Sequence, residues 1–301
     1  MKTPLFTGSS VALVTPMHQS GAVNYEQLTA LIERQIQGGT SAITICGTTG
    51  ESSTLTDQER ISVIAHTVKA VHGRIPVIAG TGSNNTAHTV VLSQRAQEAG
   101  ADGLLLVTPY YNKCTEAGLL RHYFAVADSV EIPAIVYNIP SRTGVSMSAD
   151  SYRALSRHPN LNGVKEASGN TDLVLRTLDL CGDAFHIWSG NDSQILPLMA
   201  MGCKGVISVL ANLCPEAVSR LAAACLCGDL AAAVKLQRHY RALIDALFRQ
   251  VNPIPVKTAM NSVGLDAGPL RLPLCELEPA EREQLAAVLD RYGLLPKSES
   301  H

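Results

Sequence analysis

Eight short apolar segments alternate with amphipathic segments along the first two thirds of the chain, and this alternation limits the folds it can adopt. The apolar segments cover residues 9–14, 42–46, 76–79, 103–107, 134–137, 163–165, 186–189 and 205–209. Several lack polar alternation, as expected of strands that are covered on both faces. The segments between them, such as 25–37, 58–71 and 86–99, are predicted helices. Eight strand–helix units predict an α/β fold, a (β/α)8 TIM barrel, with a doubly wound open sheet as the alternative.

The strand signal stops near residue 214, and the rest of the chain is predicted to be helical. The expected helices cover residues 216–226, 230–250, 256–263 and 280–292. We therefore divide the chain into a catalytic barrel, residues 1–213, and a C-terminal helical region, residues 214–301.

Composition excludes several classes of function. Of the 301 residues, 46% are hydrophobic and 17% charged, and the formal net charge is −2. Because there is no cluster of Lys and Arg, we expect neither nucleic acid nor a membrane as a partner. No apolar run approaches the roughly 18 residues of a membrane span, and no secretory segment opens the chain. We expect a soluble, cytoplasmic protein.

The cysteines and histidines do not have the spacing of metal ligands. The eight cysteines include no CxxC pair, and the nine histidines include no HExxH motif. Reduced cysteines that pack as small hydrophobes are the simplest interpretation. We expect no metal and no cofactor.

Lys165 is a lone cation at the end of the sixth apolar segment. An amine attacks a carbonyl only when it is neutral, and a free lysine is almost wholly protonated at pH 7. Burial that lowers its pKa by roughly 3 units would make about a third of it neutral, which suits a Schiff-base nucleophile. The alternative is a strand-end lysine whose stem is buried and whose amine reaches water.

Polar residues gather in the loops that follow the strands, where barrel enzymes carry their chemistry. Each of these residues, taken alone, could have a purely structural role: in a turn, in packing, or in a surface ion pair. Together they bring two Thr, two Tyr, one Arg and one Lys to one end of the barrel. Such a set can bind a keto acid, form an imine and move protons.

Four motifs in these loops resemble those of the dihydrodipicolinate synthase family, now called 4-hydroxy-tetrahydrodipicolinate synthase, in the class I pyruvate-aldolase superfamily. The motifs cover residues 47–51, 110–113, 137–144 and 163–167. The likeness runs from residues 6–8 to residues 252–257 and 271–274. It implies a Schiff-base lyase of lysine and diaminopimelate biosynthesis that condenses pyruvate with L-aspartate 4-semialdehyde.

The resemblance also implies roles for residues of this chain. Lys165 would form the imine with pyruvate. Tyr137 would donate and accept the proton, through a relay that runs by way of Thr48 to Tyr111. The family forms tight dimers in which the tyrosine at Tyr111 enters the neighbouring site, and the dimers pair into homotetramers.

The same resemblance implies the substrate contacts. Thr49 would hold the pyruvate carboxylate, with Ile207 and Gly190 beside the same substrate. Arg142 would bind the carboxylate of the semialdehyde. Two other readings stay open: another Schiff-base aldolase or lyase that acts on a different aldehyde or sugar keto acid, and a non-catalytic paralogue that binds a keto acid.

The chain departs from the family at its feedback site for lysine. The residues that fall on that site are Ser52, Asn84, His88 and Tyr110. Asp57 and Arg60 replace histidines, and His88 replaces the glutamate that grips the lysine ammonium. Losing that carboxylate should lower the affinity for lysine about a hundredfold, so we expect weak or absent inhibition. Cys114 and Leu210 also differ from the family pattern.

Overall fold

The computed structural model describes residues 1–296 and contains a closed barrel of eight parallel strands in chain order. The strands are β1 (Gly8–Ala12), β2 (Ala42–Ile45), β3 (Val77–Gly80), β4 (Gly103–Val107), β5 (Ala134–Asn138), β6 (Leu161–Glu166), β7 (His186–Ser189) and β8 (Gly205–Ser208). Each strand pairs with the next, and β8 pairs with β1. The predicted TIM barrel is confirmed, and the open sheet is excluded.

The strands are apolar along their whole length because they separate two buried layers. On β4, Leu105 belongs to the cluster inside the barrel, whereas Leu104 and Leu106 pack outward against the helices. Successive side chains of a strand point to opposite faces, so both faces here require apolar residues. The missing polar alternation in the sequence therefore reflects burial on both sides.

Helices cover the barrel and extend beyond it. They are α1 (Tyr25–Gln37), α2 (Asp57–Val71), α3 (Thr86–Glu98), α4 (Glu116–Ala127), α5 (Pro140–Thr143), α6 (Ala149–Leu155), α7 (Thr171–Cys181), α8 (Ile195–Ala200), α9 (Pro215–Leu226), α10 (Leu230–His239), α11 (Arg241–Leu247), α12 (Ile254–Ser262) and α13 (Pro279–Arg291). Side-chain caps fix several of their first turns; α2 begins with a capping box formed by Thr56 and Glu59. Within residues 1–296, no helix has the length and apolarity needed to cross a membrane.

The C-terminal part differs from the prediction at one point. The single helix expected over residues 230–250 is wrong, because the chain turns at Tyr240 and forms α10 and α11 instead. The Tyr240 ring stacks on that of Tyr292, with 5.7 Å between the ring centroids, so tertiary packing fixes the turn. The division of the chain after residue 213 stays a prediction, and α9, which follows it, packs on β1.

Candidate active site

Lys165 lies near the carboxyl end of β6, in register with Tyr137 of β5 and Trp188 of β7. Its side chain is 5% exposed, and its Nζ lies 4.3 Å from the centroid of the Tyr137 ring. Burial lowers the pKa of Lys165 to about 8, opposed by the nearby charge of Asp192 and assisted by that of Arg142. At such a pKa roughly a tenth of the amine is neutral at pH 7. A partly neutral amine of this kind can attack a carbonyl.

Tyr137 is the penultimate residue of the neighbouring strand, β5, and is buried like Lys165. Burial raises the pKa of its phenol to about 12, and the positive charge of Arg142 opposes that rise. The phenol therefore stays protonated near neutral pH. It can donate a proton to a substrate, but it needs an acceptor to give the proton up.

A buried carboxylate holds the two strand ends together. Glu166, directly after Lys165, accepts hydrogen bonds from the Asn138 side chain at 3.1 Å and from the Tyr152 hydroxyl at 2.6 Å. The Ser168 backbone N–H donates to the same carboxylate at 2.7 Å. Because Asn138 directly follows Tyr137, this network fixes the register that brings Tyr137 beside Lys165. Glu166 lies within the motif of residues 163–167, but no feature of the sequence indicated this structural role.

The glycine-rich turn after β2 adds hydroxyl groups to the same end of the barrel. Thr48 and Thr49 line a cavity of about 220 Å³ together with Tyr137 and Lys165. The Thr49 hydroxyl accepts a hydrogen bond from the Asn252 side chain at 2.9 Å. We call this cavity the barrel mouth.

Gly190 borders the barrel mouth and leaves no room for a side chain. A Cβ atom at this position would lie 2.8 Å from Cβ of Ala167 and 3.2 Å from Cε of Lys165. The Gly190 N–H donates to the Glu166 carbonyl at 2.8 Å, which keeps this backbone close to β6. Ile207, in β8, is wholly buried inside the barrel.

Arg142 lies in α5, at the exposed rim of the barrel mouth. Its Nη2 donates a hydrogen bond to the Asn252 carbonyl at 2.9 Å. The helical region thus supplies one residue, Asn252, that contacts both Thr49 and Arg142. No pattern around Asn252 indicated this, because the contact depends on the path of a distant segment.

Tyr111 is not assembled with the other predicted relay residues in the single chain. Its side chain is 92% exposed, and its backbone has a φ of +68°, which is uncommon for a residue other than glycine. Within residues 1–296, no hydrogen bond joins the hydroxyls of Tyr137, Thr48 and Tyr111. Among the described residues of the single chain, the Tyr111 hydroxyl is therefore not part of a hydrogen-bonded relay.

The four residues of the expected lysine site are only partly brought together. Ser52 and Tyr110 line a second cavity, of about 200 Å³, beside the barrel mouth. Asn84 and His88 lie outside its lining: the Asn84 carbonyl accepts from Asn112, and His88 Nε2 lies 2.9 Å from the Asp57 carboxylate.

A buried ion pair joins the glycine-rich turn to the helical region. Lys257 Nζ lies 2.7 Å from a carboxylate oxygen of Glu51, and the two side chains are 1% and 0% exposed. The other oxygen of Glu51 accepts the Arg271 backbone N–H at 3.0 Å. These contacts bring together motif segments that are 206 and 220 residues apart in the sequence.

In the described part of the chain, no group of three or more His, Cys, Asp and Glu side chains is placed to hold a metal ion. The chemistry that the barrel mouth offers is that of an amine, a phenol and hydroxyl groups, with a guanidinium at the rim.

Comparisons with known proteins agree with this geometry. The model of the dihydrodipicolinate synthetase family matches residues 5–292. A 4-hydroxy-tetrahydrodipicolinate synthase from Thermoanaerobacter sp. (strain X514) is 52% identical over 98% of this chain and 99% of that protein. The crystal structure of dihydrodipicolinate synthase from Aquifex aeolicus has a TM-score of 0.95 and 46% identity, over 97% of this chain and 100% of that one.

A third similar protein was crystallised with a keto acid. The chloride-inhibited dihydrodipicolinate synthase from Acinetobacter baumannii, complexed with pyruvate, has a TM-score of 0.94 and 42% identity, over 96% of this chain and 99% of that one.

Proposed function

The chain belongs to the dihydrodipicolinate synthetase family, and on that premise we propose that it is an enzyme that condenses pyruvate with L-aspartate 4-semialdehyde. It is a lyase of the Schiff-base aldolase type, and the expected product is 4-hydroxy-tetrahydrodipicolinate. The observation that carries the proposal is the Lys165 amine, buried beside the Tyr137 ring, with a pKa of about 8. The amine of a buried, partly neutral lysine is the group that imine formation requires.

Lys165 attacks the keto carbon of pyruvate and forms a C–N bond. The keto oxygen takes up protons and leaves as water, and Tyr137 is the nearest buried phenol that can donate one of them. Tyr137, having given up its proton, takes a methyl proton and so converts the imine to an enamine. The enamine carbon attacks the aldehyde of the second substrate, and the aldehyde oxygen takes up a proton to become a hydroxyl. The amino group of that substrate finally displaces Lys165 and frees the enzyme.

The two substrates are held by different groups. The Thr49 hydroxyl and the backbone of the glycine-rich turn bind the pyruvate carboxylate, with Gly190 and the backbone of Ile207 beside it. Arg142 binds the carboxylate of the semialdehyde, since a guanidinium at the rim can form two parallel hydrogen bonds with it. Arg142 favours an acidic aldehyde over a sugar keto acid, whose hydroxyls would leave the guanidinium without a counter-ion.

The proton relay through Thr48 and Tyr111 requires an assembly of chains. The exposed Tyr111 supports a tight dimer in which each Tyr111 serves the neighbouring site, and pairs of dimers would form a homotetramer. We further propose that lysine inhibits the enzyme weakly or not at all, because no carboxylate of residues 1–296 lines the cavity that holds Ser52 and Tyr110.

The test is a coupled assay. Pyruvate and L-aspartate 4-semialdehyde are mixed with the reductase of the next step, and loss of NADPH is followed for the wild type, for Lys165→Ala and for Lys69→Ala, an exposed control in α2. Turnover that disappears only in Lys165→Ala supports the proposal. If the wild type shows no turnover but borohydride still traps pyruvate on Lys165, the enzyme forms the imine and acts on a different aldehyde. Failure of both turnover and trapping would favour a keto-acid-binding paralogue.

Lysine sensitivity is measured in the same assay. Half-maximal inhibition by lysine below about 1 mM would contradict the expected loss of roughly 2–3 kcal/mol of binding free energy.

A further inference from the structure

Two apolar side chains of the helical region border the barrel mouth. Phe248 and Val251 lie in the segment between α11 and α12, and both line the same cavity as Lys165. They are 41% and 50% exposed, and we call them the apolar rim. Single exposed apolar residues are common on protein surfaces, but two that border one reactive cavity offer a contact to its ligand.

The segment that carries the apolar rim is bound to the barrel on one side. The Asn252 side chain donates to Thr49 at 2.9 Å, and the Asn252 carbonyl accepts from Arg142 at 2.9 Å. The Val251 carbonyl accepts the Ile254 N–H at 2.9 Å, where α12 begins. Val251 therefore has a fixed place, directly before the residue that contacts the Arg142 guanidinium.

The other side of the segment is bound to α13. The Arg249 side chain donates to that of Gln284, and the Gln250 side chain donates to the Glu281 carboxylate. Because hydrogen bonds hold the segment on both sides, the apolar rim is a fixed part of the wall of the barrel mouth.

In the proposed function the second substrate spans the barrel mouth. Its aldehyde carbon meets the enamine on Lys165, and its carboxylate is bound by Arg142. The carbon atoms between these two groups pass beside residues 248–252, because Asn252 contacts Arg142 and the whole set lines one cavity. In L-aspartate 4-semialdehyde the carbon next to the aldehyde is a methylene, which an apolar surface favours.

A hydroxyl on that carbon would be disfavoured. Against the apolar rim the hydroxyl loses water, and neither apolar side chain can replace the lost hydrogen bond. An apolar wall rejects a substrate with one added hydroxyl by up to roughly a hundredfold. The rim thus discriminates between two acidic aldehydes that Arg142 alone would bind alike.

We propose that Phe248 and Val251 determine the specificity of the barrel mouth for an acidic aldehyde that carries a methylene next to its carbonyl group. The inference rests on the proposed function and extends it: Arg142 binds the charged end of the second substrate, and the apolar rim contacts its carbon chain. Neither side chain takes part in imine formation with pyruvate.

The test compares two acidic aldehydes that differ at this carbon. L-Aspartate 4-semialdehyde has a methylene there, whereas D-glyceraldehyde 3-phosphate has a hydroxyl and keeps an anionic group for Arg142. Loss of pyruvate in quenched samples measures condensation with either aldehyde and gives kcat/KM for each. The variants are Val251→Thr, which adds a hydroxyl at nearly the same volume, Phe248→Ala, and the matched control Val234→Thr, at a valine of α10 that is 40% exposed.

We expect Val251→Thr to raise the ratio of kcat/KM for the hydroxylated aldehyde to that for the semialdehyde by about threefold to tenfold. The threonine hydroxyl can form a hydrogen bond with the added hydroxyl of the substrate. The ratio should keep its wild-type value in Val234→Thr. Phe248→Ala should raise KM for the semialdehyde more than it changes kcat, since an apolar contact stabilises the bound substrate and the transition state alike. Borohydride trapping of pyruvate should be equal in all four proteins.

An unchanged ratio in Val251→Thr, or an equal rise in Val234→Thr, would overturn the proposal. No measurable use of the hydroxylated aldehyde by Val251→Thr counts as an unchanged ratio. Slower trapping of pyruvate in Phe248→Ala would also overturn it, because Phe248 would then act on the imine step.

Two controls keep these outcomes distinct. Thermal unfolding shows whether each variant is folded, and if Phe248→Ala is not, Val251→Thr decides the result. Wild-type protein that fails to condense pyruvate with the semialdehyde would refute the proposed function and this inference with it. An active wild type with an unchanged ratio in Val251→Thr would refute the inference alone.

Discussion

The environment of Lys165 combines opposing effects on one amine. Burial lowers its pKa, the positive charge of Arg142 lowers it further, and the carboxylate of Asp192 raises it. Asp192 is itself buried and is held by Ser208 and by the backbone N–H groups of Val209 and Leu210, at 3.0 and 2.9 Å. Burial raises the pKa of Asp192, and these hydrogen bonds and the charge of Lys165 oppose that rise. The ionised carboxylate also favours the positively charged imine proposed at Lys165.

Imine formation should depend on pH through Lys165. Its pKa of about 8 lies below the ordinary value, so the neutral fraction rises about tenfold per pH unit up to pH 8 and then levels. The initial rate of borohydride trapping of pyruvate, measured from about pH 6 to 10, should follow that curve. A rate that continues to rise toward pH 10 would contradict the lowered pKa.

Two variants test the sign of the nearby charges. Asp192→Asn removes the charge that raises the pKa of Lys165, so the inflection should move to lower pH. Arg142→Gln removes one that lowers it, so the inflection should move to higher pH. Shifts in the same direction in both variants would contradict this electrostatic account, provided that thermal unfolding shows both to be folded.

At the residue scale, the sequence predicted the reactive groups at the ends of apolar segments and missed two buried carboxylates that lie beside them. Lys165 and Tyr137 could be found because each ends an apolar segment and lies within a recognisable motif. Asp192 and Glu166 gave no comparable signal. Their importance depends on which side of the barrel wall a carboxylate faces and on partners far along the chain.

At the scale of the elements, the glycine-rich turn after β2 is held by the helical region. Glu51, at the end of that turn, has a φ of +54° and forms the buried pair with Lys257 of α12. Burial lowers the pKa of Lys257, and the Glu51 carboxylate opposes this. The pair therefore connects α12 to the loop that carries Thr48 and Thr49.

Breaking this pair should destabilise the protein and disturb the turn. Lys257→Met leaves the Glu51 carboxylate buried and unpaired, which should cost about 3–5 kcal/mol of unfolding free energy. Arg241→Ala, which removes the exposed pair between Arg241 and Asp245, is the control and should cost about 0.5 kcal/mol or less. Chemical denaturation measures both. Similar midpoints for the two variants would show that the buried pair contributes little.

The elements themselves were largely predictable. Every predicted strand of the barrel lies within two residues of an observed one, since apolar segments bounded by Gly, Pro, Asn or Asp identify buried parallel strands well. The turn at Tyr240 was not predictable, because residues 230–250 contain neither glycine nor proline. Stacking on Tyr292, 52 residues later, is a tertiary effect that no local pattern contains.

At the scale of the whole molecule, the proposed relay is incomplete within one chain. The Lys165 amine, the Tyr137 phenol and Thr48 meet at the barrel mouth, whereas Tyr111 projects into solvent from a backbone conformation that a tyrosine rarely adopts. A strained, exposed aromatic residue next to a site suggests an interaction with another molecule. In a twofold dimer, each chain would supply its Tyr111 to the other.

This arrangement predicts that two inactive variants restore activity when they share a dimer. Lys165→Ala lacks the nucleophile, and Tyr111→Phe lacks the hydroxyl of the relay, so each homodimer should be slow or inactive. A hybrid dimer has one complete site, formed by Lys165 of the Tyr111→Phe chain and Tyr111 of the Lys165→Ala chain. If the chains are unfolded and refolded together in equal amounts, random pairing in a twofold dimer should restore about a quarter of the wild-type activity.

If each Tyr111 served its own chain, the hybrid would contain no complete site, and the mixture would stay at the activity of the separate variants. Lys69→Ala refolded with Lys165→Ala is the control for recovery of the folded assembly, and it should retain about half of the wild-type activity, because half of its chains carry Lys165.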